Sequence, residues 1–249
     1  MAESQDARVA VVTGASRGIG RATALRLAAD ERHVVLVSRS EGPLTEVKAQ
    51  IEQAGGSASV LACDISNRGA WAKALEGVAD EHGRLDILVN NAGITRDNLV
   101  LRMSDEEWDA VIETNLTSAF VAVRAAARAM MRGKFGRIVN VASTSGLVGN
   151  SGQANYAAAK SALLGFSKTI ARELGGKGVT CNVVAPGFIA TDMTANLPAE
   201  VTERVKSAQA VRSVGQPDDI AEAVAYLTSD GAGFITGQTI TVDGGMTMS

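Results

Sequence analysis

Short apolar runs and longer mixed stretches alternate along this chain. Residues 8–13 (RVAVVT), 33–37 (HVVLV), 58–62, 85–89 (LDILV), 135–142, 179–184 (VTCNVV) and 239–242 are short segments rich in Val, Ile and Leu. Apolar runs of this length, with little polar alternation, predict strands buried on both faces. Between them, residues 21–30, 44–54, 70–81, 105–115, 116–131, 157–174 and 218–229 read as helices. Two of these, 116–131 (LTSAFVAVRAAARAMM) and much of 157–174, are apolar on nearly every face. A helix lying on a sheet needs only one apolar stripe. Each is therefore expected to bury an outer face as well, either under a symmetric partner subunit or under other elements of the same chain. Strand and helix alternate throughout, with no linker, repeat or low-complexity segment. The pattern predicts an α/β fold: a single domain over 1–249, with 1–7 a flexible leader, built as a Rossmann-type doubly wound parallel sheet of about seven strands with helices on both faces.

Composition narrows the class. Hydrophobic residues make up 46% and charged residues 20% of the 249 positions, ordinary for a globular protein with a large core. The net charge of -3 gives no global attraction to nucleic acid or an anionic membrane. Residues 1–8 are polar, with no apolar run or basic leader, and no stretch is long enough to span a bilayer. A cytoplasmic enzyme or binding protein is expected. His33 and His82 are isolated in sequence and no metal-ligand cluster is visible, so no metal is expected. Cys63 and Cys181 sit in apolar surroundings and read as buried, unreactive thiols.

The first strand runs into Gly14-Ala15-Ser16-Arg17-Gly18-Ile19-Gly20, after which a helix begins. Strand, glycine-rich turn and helix open a dinucleotide-binding unit. Gly14 allows the turn, Gly18 lets backbone approach a pyrophosphate at the helix's positive end, and Gly20 lets the helix pack closely. The second strand ends in Ser38-Arg39, about where a ribose-binding residue belongs. An acidic side chain there would suit the 2′-hydroxyl of NAD; Arg39 offers a fork for the 2′-phosphate of NADP. Arg17 adds a second charge, and Glu41 weakens the reading if it turns inward. Asn90-Asn91-Ala92-Gly93 stands at the carboxyl end of the fourth strand, where ligands bind in open parallel sheets.

Tyr156-Ala157-Ala158-Ala159-Lys160 places a phenol and an ammonium one helical turn apart. At roughly 4 Å and an effective dielectric of about 20, the cation is worth about 4 kcal/mol, enough to bring a phenol from about 10 to near 7. A phenol so tuned is a general acid or base. Ser143, at the end of the fifth strand, lies thirteen residues earlier and can face it across a cleft. Residues 191–198 are polar and turn-rich and read as a mobile segment over the site.

Four features occur in order: Thr13-Gly14-xxx-Gly18-Ile19-Gly20, Asn90-Asn91-Ala92-Gly93, Ser143 and Tyr156-xxx-Lys160. Together they resemble the short-chain dehydrogenase/reductase family from Arg8 onwards. Within it, the stretches Asn90–Leu99, Gly152–Lys160 and Ala185–Thr194, and the ending Gly244-Gly245-Met246, look like the members that reduce 3-oxoacyl thioesters on acyl carrier protein in bacterial fatty-acid synthesis. The resemblance implies a catalytic set of Asn115, Ser143, Tyr156 and Lys160, with NADP(H) as cofactor. Tyr156 would protonate the carbonyl oxygen, Ser143 would hydrogen-bond it, Lys160 would lower the phenol's pKa and hold the nicotinamide ribose, and Asn115 would anchor a water that replenishes the proton. Asp64 and Ile65 would line the adenine pocket. Asn91, Ala92 and Gly93 would take the ribose side, and Pro186, Gly187, Ile189 and Thr191 the nicotinamide side. A homotetramer built on the two over-apolar helices is implied, as is an acidic carrier protein docked on Lys134 and Lys177 beside the active-site mouth. Reduction of a coenzyme A thioester such as acetoacetyl-CoA, or of another ketone, stays open. So does a catalytically silent dinucleotide sensor, although such a protein would be expected to have lost Ser143, Tyr156 or Lys160.

Overall fold

A computed structural model describes residues 7–191 and 199–248. The seven expected strands all form: β1 (Val9–Thr13), β2 (His33–Ser38), β3 (Ser57–Ala62), β4 (Ile87–Asn90), β5 (Gly136–Val141), β6 (Val179–Pro186) and β7 (Thr239–Val242). They make one parallel sheet in the order β3-β2-β1-β4-β5-β6-β7. The chain builds outward from β1 to β3, then returns and builds the other way from β4. β1 and β4 are neighbours, so a crevice opens at their carboxyl ends, where crossover helices leave in opposite directions.

The helices divide between the two faces. α1 (Gly18–Ala29), α2 (Glu41–Gln53) and α9 (Pro217–Leu227) cover one face through Leu27, Leu44, Val47, Ile51, Ile220 and Val224. α3 (Arg68–Glu81), α5 (Ser118–Gly133) and α7 (Ala154–Leu174) cover the other. There Trp71 is fully buried and its indole N–H donates to the Ser118 carbonyl at 3.1 Å. Between the faces run β1 and β4 with every residue buried, which explains their unbroken apolar sequences.

One polar chain crosses this core. Asn90 Nδ2 donates to Asn140 Oδ1 at 2.8 Å, and Asn140 Nδ2 donates to Ser167 Oγ at 2.8 Å. The Cys181 sulfur stands 3.7 Å from the same amide nitrogen, and burial pushes its thiol up to about 12. Cys181 is buried as expected, whereas Cys63 is only partly buried; burial raises its thiol too, and both cysteines are free. The chain of amides fastens β4, β5 and α7 together, because a buried amide left without partners costs about 1–3 kcal/mol.

The structure differs from expectation in several places. Residues 105–131 are not two abutting helices. α4 (Asp105–Ile112) opens with a capping box between Ser104 and Glu107, and a π-helical turn at Glu113–Thr117 then joins it to α5. Two further helices form, the single turn α6 (Ser145–Val148) and α8 (Ala199–Ala208). α5 is not apolar all round: Phe120, Arg124 and Arg128 form an exposed stripe, with the Arg124 guanidinium 4.9 Å from the Phe120 ring centroid. The outer face of α7 is built of small residues, Ala154, Ala158, Ala162 and Gly165, with Lys168 and Arg172. His33 and His82, distant in sequence, stack with ring centroids 4.6 Å apart. Residues 192–198, most of the expected mobile segment, lie outside the described residues, as do residues 1–6 of the leader.

Ser167→Ala removes the hydroxyl that receives the Asn140 amide and leaves that amide the distant Cys181 sulfur. Urea unfolding should show a loss of about 1–2 kcal/mol; an unchanged midpoint would mean that the amide chain does not hold α7.

Candidate active site

The site lies at the carboxyl ends of β1, β4, β5 and β6. Its floor is the glycine turn. Gly14 has φ +68, a left-handed backbone that glycine tolerates best. A Cβ on Gly20 would stand 2.1 Å from the Gly14 carbonyl oxygen and 2.5 Å from Asn91 Nδ2, so α1 can start this close to the turn only with glycine there. Thr13 locks the turn to the end of β4. Its hydroxyl accepts the backbone N–H groups of Asn91 and Ala92, each at 3.0 Å, while Asn91 Nδ2 donates to the Thr13 carbonyl at 2.9 Å. Arg17 caps α1 with backbone only: it makes no side-chain cap bond, and the first turn has no acidic residue. α4, by contrast, carries a capping box and three acidic residues in its first turn. The positive end of α1 is thus left for an anionic ligand, which fits a dinucleotide pyrophosphate.

The catalytic candidates converge beside that floor. Ser143 Oγ accepts the Ser145 N–H at 3.2 Å, and Tyr156 stands on α7 with Lys160 one turn along. Lys160 is 3% exposed, and its ammonium donates to the Val141 carbonyl at 2.7 Å. Gly146 makes this closeness possible, since a Cβ on it would meet Ser161 N at 2.8 Å and Lys160 C at 2.9 Å. Asn115 sits in the π-helical turn, and its amide clasps Ile94 from both sides, accepting its N–H at 2.8 Å and donating to its carbonyl at 2.9 Å. A Cβ on Gly93 would lie 3.2 Å from Asn115 Oδ1 and 3.4 Å from Lys160 Nζ. Gly93 is therefore the point where those two side chains close on the floor.

Electrostatics depart from the expected tuning. Burial raises the Tyr156 phenol above its ordinary value, the Ser143 hydrogen bond lowers it in part, and the Asp97 carboxylate raises it further. The Lys160 ammonium stands 5.7 Å from the Tyr156 ring centroid and is turned to Val141, and it is not among the groups that shift this phenol. Burial in turn lowers Lys160 from 10.5 to about 8. Spacing along a helix predicts that two side chains share a face, but not which acceptor the longer one chooses.

The other candidate residues are spread round the same rim. Arg39 is exposed at the end of β2, and its charge helps hold the Asp64 carboxyl low, after the stronger hydrogen bonds from Ser66. Ile65 and Ile189 are buried in the core, so they offer backbone rather than side chain to a ligand. Asn91 likewise has its amide committed to Thr13 and Gly14. Gly187 packs against Asp243, and Thr191 approaches Gly18, its methyl carbon 3.4 Å from where a Cβ there would be. Ser16, Arg17 and Ile19 lie along the turn, with Arg17 exposed.

Lys134 and Lys177 do not flank this mouth. They precede β5 and β6, and parallel strands carry their beginnings to the opposite edge, about 20 Å away over a six-residue strand. The sequence reading gave Thr13 only as part of the glycine motif and assigned no role to Gly146 or Asn155. Asn155 is fully buried at the start of α7. It accepts the Tyr156 N–H at 2.7 Å and donates to the Arg96 and Glu107 carbonyls. The only signal for Asn155 was its place next to the tyrosine.

A doubly wound sheet with a glycine cradle at its switch point and a Ser-Tyr-Lys cluster beside it defines a nicotinamide-dependent oxidoreductase. A family model described as Enoyl-(Acyl carrier protein) reductase matches residues 14–247. The chain is 49% identical over 245 residues to a 3-oxoacyl-[acyl-carrier-protein] reductase of Synechocystis sp., covering 97% of this chain and 98% of that relative. It is 47% identical over 243 residues to the 3-oxoacyl-[acyl-carrier-protein] reductase of Escherichia coli (strain K12), covering 98% of each. A solved structure of a candidate gluconate dehydrogenase from Agrobacterium tumefaciens superposes with a TM-score of 0.93 at 32% identity, over 96% of this chain and 95% of that one. The chain belongs to the short-chain dehydrogenase/reductase family.

The buried ammonium sets a stability test. The gap from 10.5 to about 8 caps the cost of its charge at about 3 kcal/mol near neutrality, at about 1.4 kcal/mol per decade. This base has a depressed folded pKa, so the cost is full below about pH 8 and fades as pH rises towards 10.5. Lys160→Met should be inactive yet more stable than the parent by up to about 3 kcal/mol at pH 7 in urea unfolding. That advantage should shrink at pH 10; a variant less stable at both pH values would refute the sign.

Proposed function

We propose that this chain reduces 3-oxoacyl thioesters on acyl carrier protein to 3-hydroxyacyl thioesters, with NADPH, in cytoplasmic fatty-acid synthesis. The observation that carries the reading is the convergence of Ser143 from the end of β5 with Tyr156 and the buried Lys160 from α7 beside a dinucleotide cradle. Two oxygen donors beside each other suit one developing alkoxide. Near-full-length identity to reductases named for that reaction supports the substrate class.

A nicotinamide cofactor bound in the cradle supplies the hydride. The chain's own residues do the rest. Tyr156 gives its proton to the carbonyl oxygen, and its raised pKa keeps it protonated and able to donate at neutral pH. Ser143 donates a hydrogen bond to the same oxygen, since its own oxygen is already held by the Ser145 N–H. Lys160 has one N–H on Val141 and two left to orient the nicotinamide ribose. Asn115 holds Ile94 with one N–H and one lone pair of its side-chain amide, and its remaining side-chain sites and its main chain are left to hold a water that returns the proton. Arg39, with Arg17 across the turn, is read as the 2′-phosphate contact that favours NADPH.

A homotetramer covering the exposed Phe120 stripe of α5 and the small outer face of α7 is part of the same reading. It also restores a use for the two lysines. Lys134 ends α5, while Asn115 stands just before α5 begins. A two-fold axis that pairs α5 helices antiparallel would bring one copy's Lys134 edge beside the other copy's site.

The family description, which names enoyl reduction, favours one second reading. Reduction of a carbon–carbon double bond needs its proton on carbon, to which two oxygen-directed hydroxyls are less suited. Acetoacetyl and crotonyl thioesters, each on acyl carrier protein and on coenzyme A, assayed with NADPH, separate these readings. Turnover of the ketone on carrier protein is expected to lead. Oxidation of NADPH by crotonyl but not acetoacetyl substrate would overturn the proposal, and no oxidation by any ketone would favour a dinucleotide sensor.

Tyr156→Phe should lower kcat at least about 100-fold while leaving NADPH affinity, read by fluorescence titration, within about twofold, because the hydroxyl acts on substrate. Arg39→Asp should reverse the preference from NADPH towards NADH in kcat/KM. An unmoved ratio would assign the phosphate to another residue.

A further inference from the structure

Tyr156 stands in the first turn of α7, and the polar bonds of that turn run in an unusual direction. A helix opens with N–H groups that have no partner inside it. A side chain just before the helix ordinarily serves them, as Ser104 does for α4. On α7 the N-cap residue, Gln153, makes no side-chain bond to the helix. The acceptor comes instead from Asn155, inside the turn, whose Oδ1 takes the Tyr156 N–H at 2.7 Å. Asn155 is fully buried, and its Nδ2 donates to the Arg96 carbonyl at 3.0 Å and to the Glu107 carbonyl at 3.2 Å. Capping alone would need only the oxygen. The N–H groups of the amide are engaged by two other elements, the segment between β4 and α4, and α4 itself.

That segment is held by ties more than by packing, since Arg96 and Asp97 are exposed. At one end Asn115 grips Ile94 at 2.8 and 2.9 Å. At the other, Asp97 Oδ2 accepts the Gln153 side-chain N–H at 2.9 Å, and the Asn98 N–H donates to the Gly152 carbonyl at 2.8 Å. The Asn155 bond to Arg96 lies between these ties, and the same side chain holds the Tyr156 N–H. We propose that Asn155 is a positioning residue for the reduction: it sets the backbone of Tyr156 against residues 94–98, so that the phenol keeps a fixed place relative to Asn115 and the cradle floor at Gly93. Lys160 holds α7 against β5 one turn further on. The first turn, which carries the phenol, has this second hold of its own. A displacement of about 1 Å caused by a residue that touches no substrate can slow a reaction about 100-fold. The inference rests on the reading of Tyr156 as proton donor to a ketone.

Two variants test it, with folding checked by circular dichroism. Asn155→Leu keeps the approximate size and removes all three bonds. With acetoacetyl thioester its kcat should fall about 10- to 100-fold while NADPH affinity, read by fluorescence titration, stays within about threefold. Asn155→Asp keeps the shape and the acceptor for the Tyr156 N–H. Its carboxyl can donate to one of the two carbonyls only while protonated. The ratio of its kcat to the parent's should therefore be highest at acid pH and fall as pH rises. Leu75→Ala removes buried volume from the α3 core and none of these bonds, and should keep the parent's kcat. Hydrogen exchange followed by mass spectrometry needs no substrate: peptides covering residues 94–98 and the first turn of α7 should exchange faster in Asn155→Leu than in the parent. Parent-like kcat in both Asn155 variants, an equal loss in Leu75→Ala, a ratio that rises with pH, or unchanged exchange in those peptides would overturn the proposal. A parent that reduces no ketone while the exchange difference persists would refute the reduction and leave the tie standing.

Discussion

Lys160 reaches from α7 to the Val141 carbonyl at 2.7 Å, and two turns along the same helix Ser167 receives the Asn140 amide. Adjacent residues of β5 therefore hold α7 at two points. Between those points the one buried side chain is the apolar Leu163, and apolar contact alone resists sliding poorly. The ammonium fixes where the phenol stands relative to Ser143, which leaves β5 only two residues after Val141. It does so at a cost in stability, because a charge in that setting is disfavoured by burial and held by one carbonyl. A site that tolerates such a group trades stability for function, as catalytic sites commonly do.

The cradle is held by a different economy of bonds. Thr13 and Asn91 join the ends of β1 and β4, the two strands at which the sheet reverses its direction of growth. Their bonds close the glycine turn before any ligand arrives. The turn's shape is thus set from inside the protein, while the N-cap of α1 makes no side-chain bond to the helix's positive end. Pre-formed geometry of this kind spares a ligand the cost of ordering the loop.

Much of this was legible in the sequence, and the reasons are physical. Strands buried on both faces must be apolar throughout, so the inner strands could be read from residues such as Val9–Thr13 and His33–Ser38, while the edge strands β3 and β7, largely only half-buried, were legible from their β-branched and apolar residues. The glycine turn was legible because Gly14 and Gly20 have almost no substitutes in the space they occupy. The π-helical turn at Asn115 was not, since its residues differ little from helix formers and its register is imposed by the clasp on Ile94. Lys134 and Lys177 were placed at the wrong edge because pattern shows which residues precede a strand, not that all beginnings share one side of a parallel sheet. The pull of Lys160 on Tyr156 was overestimated for a similar reason: sequence spacing supplies a face, whereas the carbonyl that captures the ammonium belongs to another element.

That last difference bears on the direction of the chemistry. A phenol made strongly acidic by a neighbouring cation would rest as phenolate near neutral pH and suit the removal of a proton from an alcohol. The phenol found here is raised by burial, eased by one hydroxyl and raised again by a carboxylate, so it rests protonated. A protonated donor beside a second hydroxyl is the arrangement that delivering a proton to a ketone requires. A pull from Lys160 towards phenolate could then matter only as charge moves during reaction, when the proton is already leaving. The resting balance favours reduction because burial raises the phenol while the ammonium that would oppose it is engaged by Val141.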